Sequence, residues 1–198
     1  MSVSINGTGG ITFADASTQS TGGYTGFRNR IINGAMMIDQ RNAGASVIGN
    51  AFPVDRFQIP VSQSAKLTAQ QNAGSVTPPS GFTNYLGVTS SSAYSVNSSD
   101  YFLIYQGIEG FNTADLNWGT ANAQTITLSF WARSSLTGTF GGALRNGTFV
   151  RSYPFSYTIS SANTWEYKTI YYRDWETDRK STRLNSSHSG ETRMPSSA

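Results

Sequence analysis

Apolar residues in this chain recur at every second position in short runs, without the three-to-four spacing of an amphipathic helix. The runs fall at residues 36–40, 55–61, 85–89, 101–108, 125–133, 139–144, 153–159 and 165–170, and each is predicted to be a β-strand. The run 125–133 is the clearest. Its period of two puts Ile126, Leu128, Phe130 and Ala132 on one face, and Thr125, Thr127, Ser129, Trp131 and Arg133 on the other. The first face is predicted core and the second is polar except for the indole. In the run 153–159, Tyr153, Phe155, Tyr157 and Ile159 share a face by the same rule and are also predicted core, as is Trp165, which opens the next run with Tyr167 and Thr169 on its side. The breaks between runs have their own chemistry. Asn33-Gly34 and Asn146-Gly147 are hairpin-type turn pairs, and neither a helix nor a ladder continues through Pro78-Pro79-Ser80-Gly81.

Short strands at regular spacing, built from Thr, Ser, Gly, Tyr, Phe and Val with little helix-forming charge, predict an all-β sandwich in preference to βαβ units. Residues 29–172 are enough for one compact domain with its own core. Residues 1–28 are too few and too rich in Gly, Ser and Thr to bury a core alone, so they are predicted to be an extended lead that orders against partner chains. No internal repeat is visible.

Composition narrows the chemistry. The chain carries 14 Lys+Arg against 11 Asp+Glu, and residues 1–172 hold nine bases and seven acids, a net charge of +2 that is too weak and scattered for a nucleic-acid footprint. The single histidine, His188, lies near the C-terminus, leaving residues 1–172 without an imidazole for acid–base work or metal ligation. Cysteine is absent, which excludes thiolate chemistry, zinc–thiolate sites and disulfides. The N-terminus lacks a basic region followed by an apolar one, and no apolar run approaches the roughly 20 residues that span a bilayer. Sec export and membrane insertion are therefore not expected.

Two tracts near the N-terminus carry a family resemblance. Gly10-Ile11-Thr12-Phe13-Ala14-Asp15-Ala16-Ser17-Thr18-Gln19-Ser20-Thr21 resembles the GITFxDGSxQxT segment of phage tail-fibre and other virion proteins, with Ala16 where the family has Gly. Asn29-Arg30-Ile31-Ile32-Asn33-Gly34-Ala35-Met36-Met37-Ile38-Asp39-Gln40-Arg41 resembles the NRIINGxMxIxQR opening of a β-sandwich module of such proteins. Both lie within about the first fifth of the chain, and a weaker resemblance runs to about Ile170. At the other end, Asp178-Arg179-Lys180-Ser181-Thr182-Arg183-Leu184-Asn185-Ser186-Ser187-His188 and the closing Arg193-Met194-Pro195-Ser196-Ser197-Ala198 resemble one reading frame of a sequencing adapter. Residues 173–198 are accordingly expected to be a disordered, non-native tail, and the domain before them to be truncated. The resemblance implies a virion tail component assembled in the host cytoplasm, homo-oligomeric with a trimer favoured, in contact with other tail subunits.

The best functional hint lies on the clearest strand. An indole beside a guanidinium on a polar face, as at Trp131 and Arg133, is a surface on which a sugar ring stacks while donors meet its hydroxyls. The Ser129-Phe130-Trp131-Ala132-Arg133-Ser134 strand, with Tyr105-Gln106-Gly107 before it and the run from Trp165 after it, resembles the jelly-roll carbohydrate-binding module of the galactose-binding-like type. That likeness implies host cell-surface glycan as ligand, with Trp131, Arg133, Tyr105 and Trp118 as candidate contacts. Each has a structural alternative: Trp131 packed under a loop or against a subunit, Arg133 paired with a carboxylate, Trp118 plugging the sandwich edge.

Catalysis and metal binding find little in the residues. A glycosidase needs two opposed carboxyl groups, and Asp15, Asp39, Asp55, Asp100, Glu109, Asp115 and Glu166 fall in no motif that pairs them. Asp55-Arg56-Phe57 resembles the strand start of related phage modules, and its adjacent charges read as a structural pair. Related jelly rolls hold calcium beside an acidic NGDFE opening, whereas Asn33-Gly34-Ala35-Met36-Met37 lacks those acids. No cofactor, no metal and no enzymatic activity are expected. The competing readings are a structural virion subunit without ligand and, more remotely, a polysaccharide depolymerase.

Overall fold

A computed structural model of the chain describes residues 28–148 and 150–173, preceded by the short strands Ser4–Asn6 (β1), Gly10–Thr12 (β2) and Thr18–Gln19 (β3). Most of the N-terminal lead, and the adapter-like tail from residue 174, lie outside the described residues. Within the lead, β1, β2 and β3 pair antiparallel in chain order. The remaining strands are Val47–Ile48 (β4), Leu67–Gln71 (β5), Leu86–Ser90 (β6), Thr125–Ala132 (β7), Gly138–Arg145 (β8), Ser152–Ile159 (β9) and Glu166–Arg173 (β10). All pairings are antiparallel and no α-helix occurs among the described residues, so the fold is all-β.

The four long strands form two ribbons nested in sequence. β8 and β9 are a hairpin, closed by the Asn146 N–H on the Arg151 carbonyl at 3.1 Å and the Arg151 N–H on the Asn146 side chain at 3.1 Å. β7 and β10, on either side of that hairpin in the chain, pair with each other in the register Trp131 to Tyr167, Ser129 to Thr169 and Thr127 to Tyr171. Aromatic rings join the two ribbons. Tyr157 lies between Phe130 and Phe140, with centroids at 5.1 and 5.8 Å, and Tyr153 meets Tyr172 at 4.7 Å. Ile159 is buried at the end of β9, as the alternation of that strand predicts.

A second unit surrounds the three-stranded sheet β4-β5-β6. Ile59, Val61, Leu67 and Ala69 form its core, closed by Val47, Leu86 and Phe102. Gly49 is required here because a Cβ at that position would lie 2.2 Å from a Val61 methyl. The predicted strands 55–61 and 101–108 are reduced to isolated bridges, Gln58 with Tyr105 and Val61 with Phe102. Pro60 interrupts the ladder, since it has no N–H to donate. The predicted strand 36–40 is likewise absent, and turns occupy this region instead. Asn33 adopts a left-handed φ of 57°, its side chain accepts from the Ile38 N–H, and its amide donates to the Ile38 and Asp55 carbonyls. Backbone groups met by side chains in this way are not free to join a sheet.

Trp165 joins the two units. Its ring meets Tyr85 edge-on at 5.6 Å and its N–H donates to the Thr77 carbonyl at 2.8 Å. The alternation predicts Trp165 in the core with Tyr167 and Thr169 on its side of the strand; the structure separates them, since Trp165 precedes β10 and packs half-buried against Tyr85, while Tyr167 and Thr169 point outward. The inward side chains of β10 are Glu166, Lys168, Ile170 and Tyr172. The register with β7 is the cause, since it sets Tyr167 opposite the outward Trp131.

Candidate functional site

The outer face of the β7–β10 ribbon is built by strand alternation alone. Along β7 the exposed and partly buried positions alternate without a break, so Thr125, Thr127, Ser129 and Trp131 face solvent and Ile126, Leu128, Phe130 and Ala132 face the other ribbon. β10 adds Tyr167, Thr169 and Tyr171 to the solvent side. Trp131 is 38% exposed, Tyr167 55% and Tyr171 69%. The Trp131 and Tyr167 rings are 5.4 Å apart at 58°, a tilted pair that leaves a broad amphipathic surface with the Tyr171 ring farther along the strand.

Hydrogen bonding separates the described tryptophans. Trp118 donates its indole N–H to the Gln124 carbonyl at 3.0 Å, and Trp165 donates its own to Thr77. Trp131 is the described tryptophan whose N–H has no hydrogen-bond partner among the described residues. The hydroxyls of Tyr167 and Tyr171 are also without hydrogen bonds to described residues. A face with ring surface, an N–H donor and phenolic hydroxyls open to solvent suits a ligand that offers C–H faces and hydroxyl groups together.

The four sequence-derived candidates separate in space. Trp131 stands near one end of this face, at the last outward position of β7. Arg133 lies just beyond the end of β7, where its Nε donates to the Asn163 carbonyl at 2.9 Å and the Asn163 N–H donates to the Ser134 carbonyl. Its role there is to clasp the connection leading into β10, and no ion pair to a carboxylate is found for it among the described residues. Tyr105 belongs to the second unit, where its backbone exchanges hydrogen bonds with Gln58 at 2.8 Å in each direction. The ring partner of Trp131 is Tyr167, and no strand pairing, hydrogen bond or ring contact links Tyr105 to Trp131 or Arg133. Trp118 packs edge-on against Tyr172 at 5.3 Å and is half-buried, so it closes the end of the ribbon's inner face. Tyr167 and Tyr171 are absent from the sequence-derived candidates. Their signal was present but ambiguous, because both faces of residues 165–172 carry apolar side chains and only the partner strand decides between them.

The charged groups serve structure. Asp55 and Arg56 do not pair with each other: Asp55 meets Arg41 at 3.5 Å, and Arg56 meets Glu109 at 2.6 Å. Arg30 grips Asp115 through two hydrogen bonds of 2.8 and 2.7 Å. Asp100 accepts from the Asn97 N–H and from the Tyr94 and Ser62 hydroxyls, and these hold its carboxyl well below the usual range. Glu166 pairs with Lys168 at 2.6 Å and accepts from the Ser160 and Ser161 N–H groups, which also lowers its pKa. No group of three or more potential metal-ligating residues gathers among the described residues. No known protein family, curated protein or solved structure matches the chain.

Proposed function

We propose that this protein is a non-catalytic tail component of a virion, with a jelly-roll-type sandwich that binds host surface glycan on the outer face of the β7–β10 ribbon. The observation that carries the reading is Trp131: half-exposed, paired with Tyr167, and alone among the described tryptophans in having no N–H partner among the described residues. The resemblance of the N-terminal tracts to tail-fibre proteins supplies the biological setting, and the antiparallel all-β architecture is compatible with it. The carboxylates Asp39, Asp55, Asp100, Glu109, Asp115 and Glu166 each accept hydrogen bonds or ion pairs from structural neighbours, which favours binding over hydrolysis. The test is Trp131→Ala, with glycan-array and host-cell binding measured beside thermal melting. Loss of the indole is expected to cost roughly 1–3 kcal/mol of binding, as for aromatic anchors and stacking platforms generally. Melting should change little, because the inner face of β7 is untouched. Unchanged binding, or a large fall in melting temperature, would remove the site.

A second reading, a structural subunit of a homo-oligomer without ligand, is favoured by apolar side chains left in solvent on the second unit: Val96, Ile104 and above all Phe111, which is 92% exposed. Under this reading the chain assembles, with a trimer expected from the tail-fibre resemblance. Phe111→Ser should then shift sedimentation toward monomer.

A further inference from the structure

We infer that the β7–β10 face takes an extended run of an uncharged polysaccharide, with a second contact at Tyr171 that a single terminal sugar does not reach. The inference rests on the glycan reading above and adds the length and charge class of the ligand. Tyr167 and Tyr171 lie on the same side of β10, four residues apart. At the strand rise of about 3.3 Å per residue this separates them by roughly 13 Å. Ring pairs interact only to centroid separations of about 7 Å, so a sugar ring stacked on the Trp131–Tyr167 pair leaves Tyr171 uncovered. The interval is not apolar wall but hydroxyl: Ser129 opposite Thr169, and Thr127 opposite Tyr171. None of these side chains forms a hydrogen bond with a described residue, so all are free to meet ligand hydroxyls. A ligand that satisfies both ends is therefore a chain of sugars laid along the strands, bridging two aromatic contacts across a row of hydroxyls.

The charge class follows from the same positions. Between Thr125 and Trp131, and between Tyr167 and Tyr171, no outward side chain is acidic or basic. Lys168 and Glu166 belong to the inner side and neutralise each other. The arginines of the ribbon stand at its two ends, Arg133 just beyond β7 with its Nε on the Asn163 carbonyl and Arg173 opposite Thr125. An acidic glycan laid along the interval between them would bring carboxylates or sulfates onto positions without an adjacent counter-charge, and their desolvation would go uncompensated there. A neutral chain incurs no such cost.

The test uses the full chain and three proteins: the parent, Trp131→Ala and Tyr171→Ala. Affinity electrophoresis through gels containing neutral glucan, galactan or mannan, with alginate as the acidic counterpart, identifies a retarding polymer. Titration calorimetry with one-to-six-unit oligomers of that polymer then gives affinity against length. Retardation by a neutral polymer is expected, with affinity rising over the first several units. Tyr171→Ala should weaken the longer oligomers roughly tenfold, within the range for rings stacked on an aromatic side chain, and leave one- and two-unit ligands unchanged. Trp131→Ala should weaken every length. Affinity independent of length, an unchanged oligomer profile in Tyr171→Ala, or stronger retardation by alginate would overturn the extended neutral site while leaving glycan binding intact. Absence of retardation by every polymer would overturn the glycan reading itself. Circular dichroism of both variants, each altered on the solvent side, checks that losses arise from binding.

Discussion

Two adjacent glycines in β8 offer a substitution pair whose effects should have opposite signs. Gly142 is paired directly with Phe155, and the phenyl ring lies over it: a Cβ built on Gly142 would sit 2.4 Å from the ring Cζ and 2.6 Å from Cε2. Gly141 points to the other side, where a Cβ would meet nothing nearer than the Phe155 carbonyl oxygen at 3.9 Å. Alanine is favoured over glycine in a strand by about 0.5–1 kcal/mol, because less chain entropy is lost on folding. Gly141→Ala should show that gain. In Gly142→Ala the same gain is opposed by displacing a ring held between the ribbons, and such overpacking costs about 1–3 kcal/mol. The net expectation for Gly142→Ala is a loss of about 1–2 kcal/mol, equivalent to a fall in melting temperature of roughly 2–8 °C for a chain of this size. Differential scanning calorimetry of both variants at one scan rate measures the difference. Adding Phe155→Leu isolates the contact: the cost of Gly142→Ala should shrink by at least about 0.5 kcal/mol in that background. Equal melting temperatures for the two glycine variants, or a rise in both, would refute the close approach of ring and backbone.

Other outcomes follow from the buried positions and the carboxylates. Ile159→Ala should destabilise by about 2–5 kcal/mol, since the side chain is 2% exposed at the end of β9; Thr158→Ala, on the solvent side of the same strand, should stay within about 0.5 kcal/mol, and urea unfolding compares them. The carboxyl pKa values of Asp100, Glu109, Asp115 and Glu166 are lowered by the Asn97 N–H, Arg56, Arg30 and Lys168 respectively. Their contribution is complete above the ordinary values of 3.8 and 4.5 and is lost as pH falls through the lower folded values. Melting temperature should accordingly hold between pH 6 and 8 (roughly the range in which all four stay ionised) and decline in acid; a flat profile into strong acid would count against these contacts. Asp115→Asn should weaken the two-pronged hold on Arg30 and raise amide exchange at Ile32, whose N–H is docked on Gln106; unchanged exchange there would show that the grip does not anchor the segment.

The C-terminal half of the fold was legible because its strands obey one rule without interruption. The predicted runs 125–133, 139–144 and 153–159 each fall within a residue of β7, β8 and β9, and the run 165–170 finds β10, which continues three residues further to Arg173. Before residue 110 the run 85–89 falls on β6, but the rest of that region follows a different logic. Positive φ at Asn33, Met36, Ala43, Asn50 and Arg56 turns the backbone away from a ladder. Side chains then satisfy what the ladder would have, as where Asn50 accepts from the Val61 N–H and donates to the Val61 carbonyl. β5 escaped notice for the converse reason: Leu67 and Ala69 are the only apolar points in its five residues, and Ala and Gln are weak strand formers. Trp131 was readable from parity within one strand. Tyr167 and Tyr171 were not, because their side of the sheet is decided by pairing with β7 across the whole intervening hairpin. Tyr105 joined the candidates by proximity in sequence pattern, and its bridge to Gln58 places it on the other unit.

The nesting of one ribbon inside the other sets an order of assembly. β8 and β9 are joined by a short turn and close at little entropic cost, whereas pairing β7 with β10 requires ends separated by the entire hairpin to meet. The local hairpin is expected to form early and to offer the ring surface on which β7 and β10 come together. During synthesis β7 therefore leaves the ribosome well before its partner exists, with Trp131 lacking the neighbour that makes it half of a pair. The proposed binding face is divided between the first and last of the four strands, so it is completed only when the ribbon closes. A chain that stalls before that closure would carry the recognition residues without presenting them together, and competence to bind becomes a report that folding has finished.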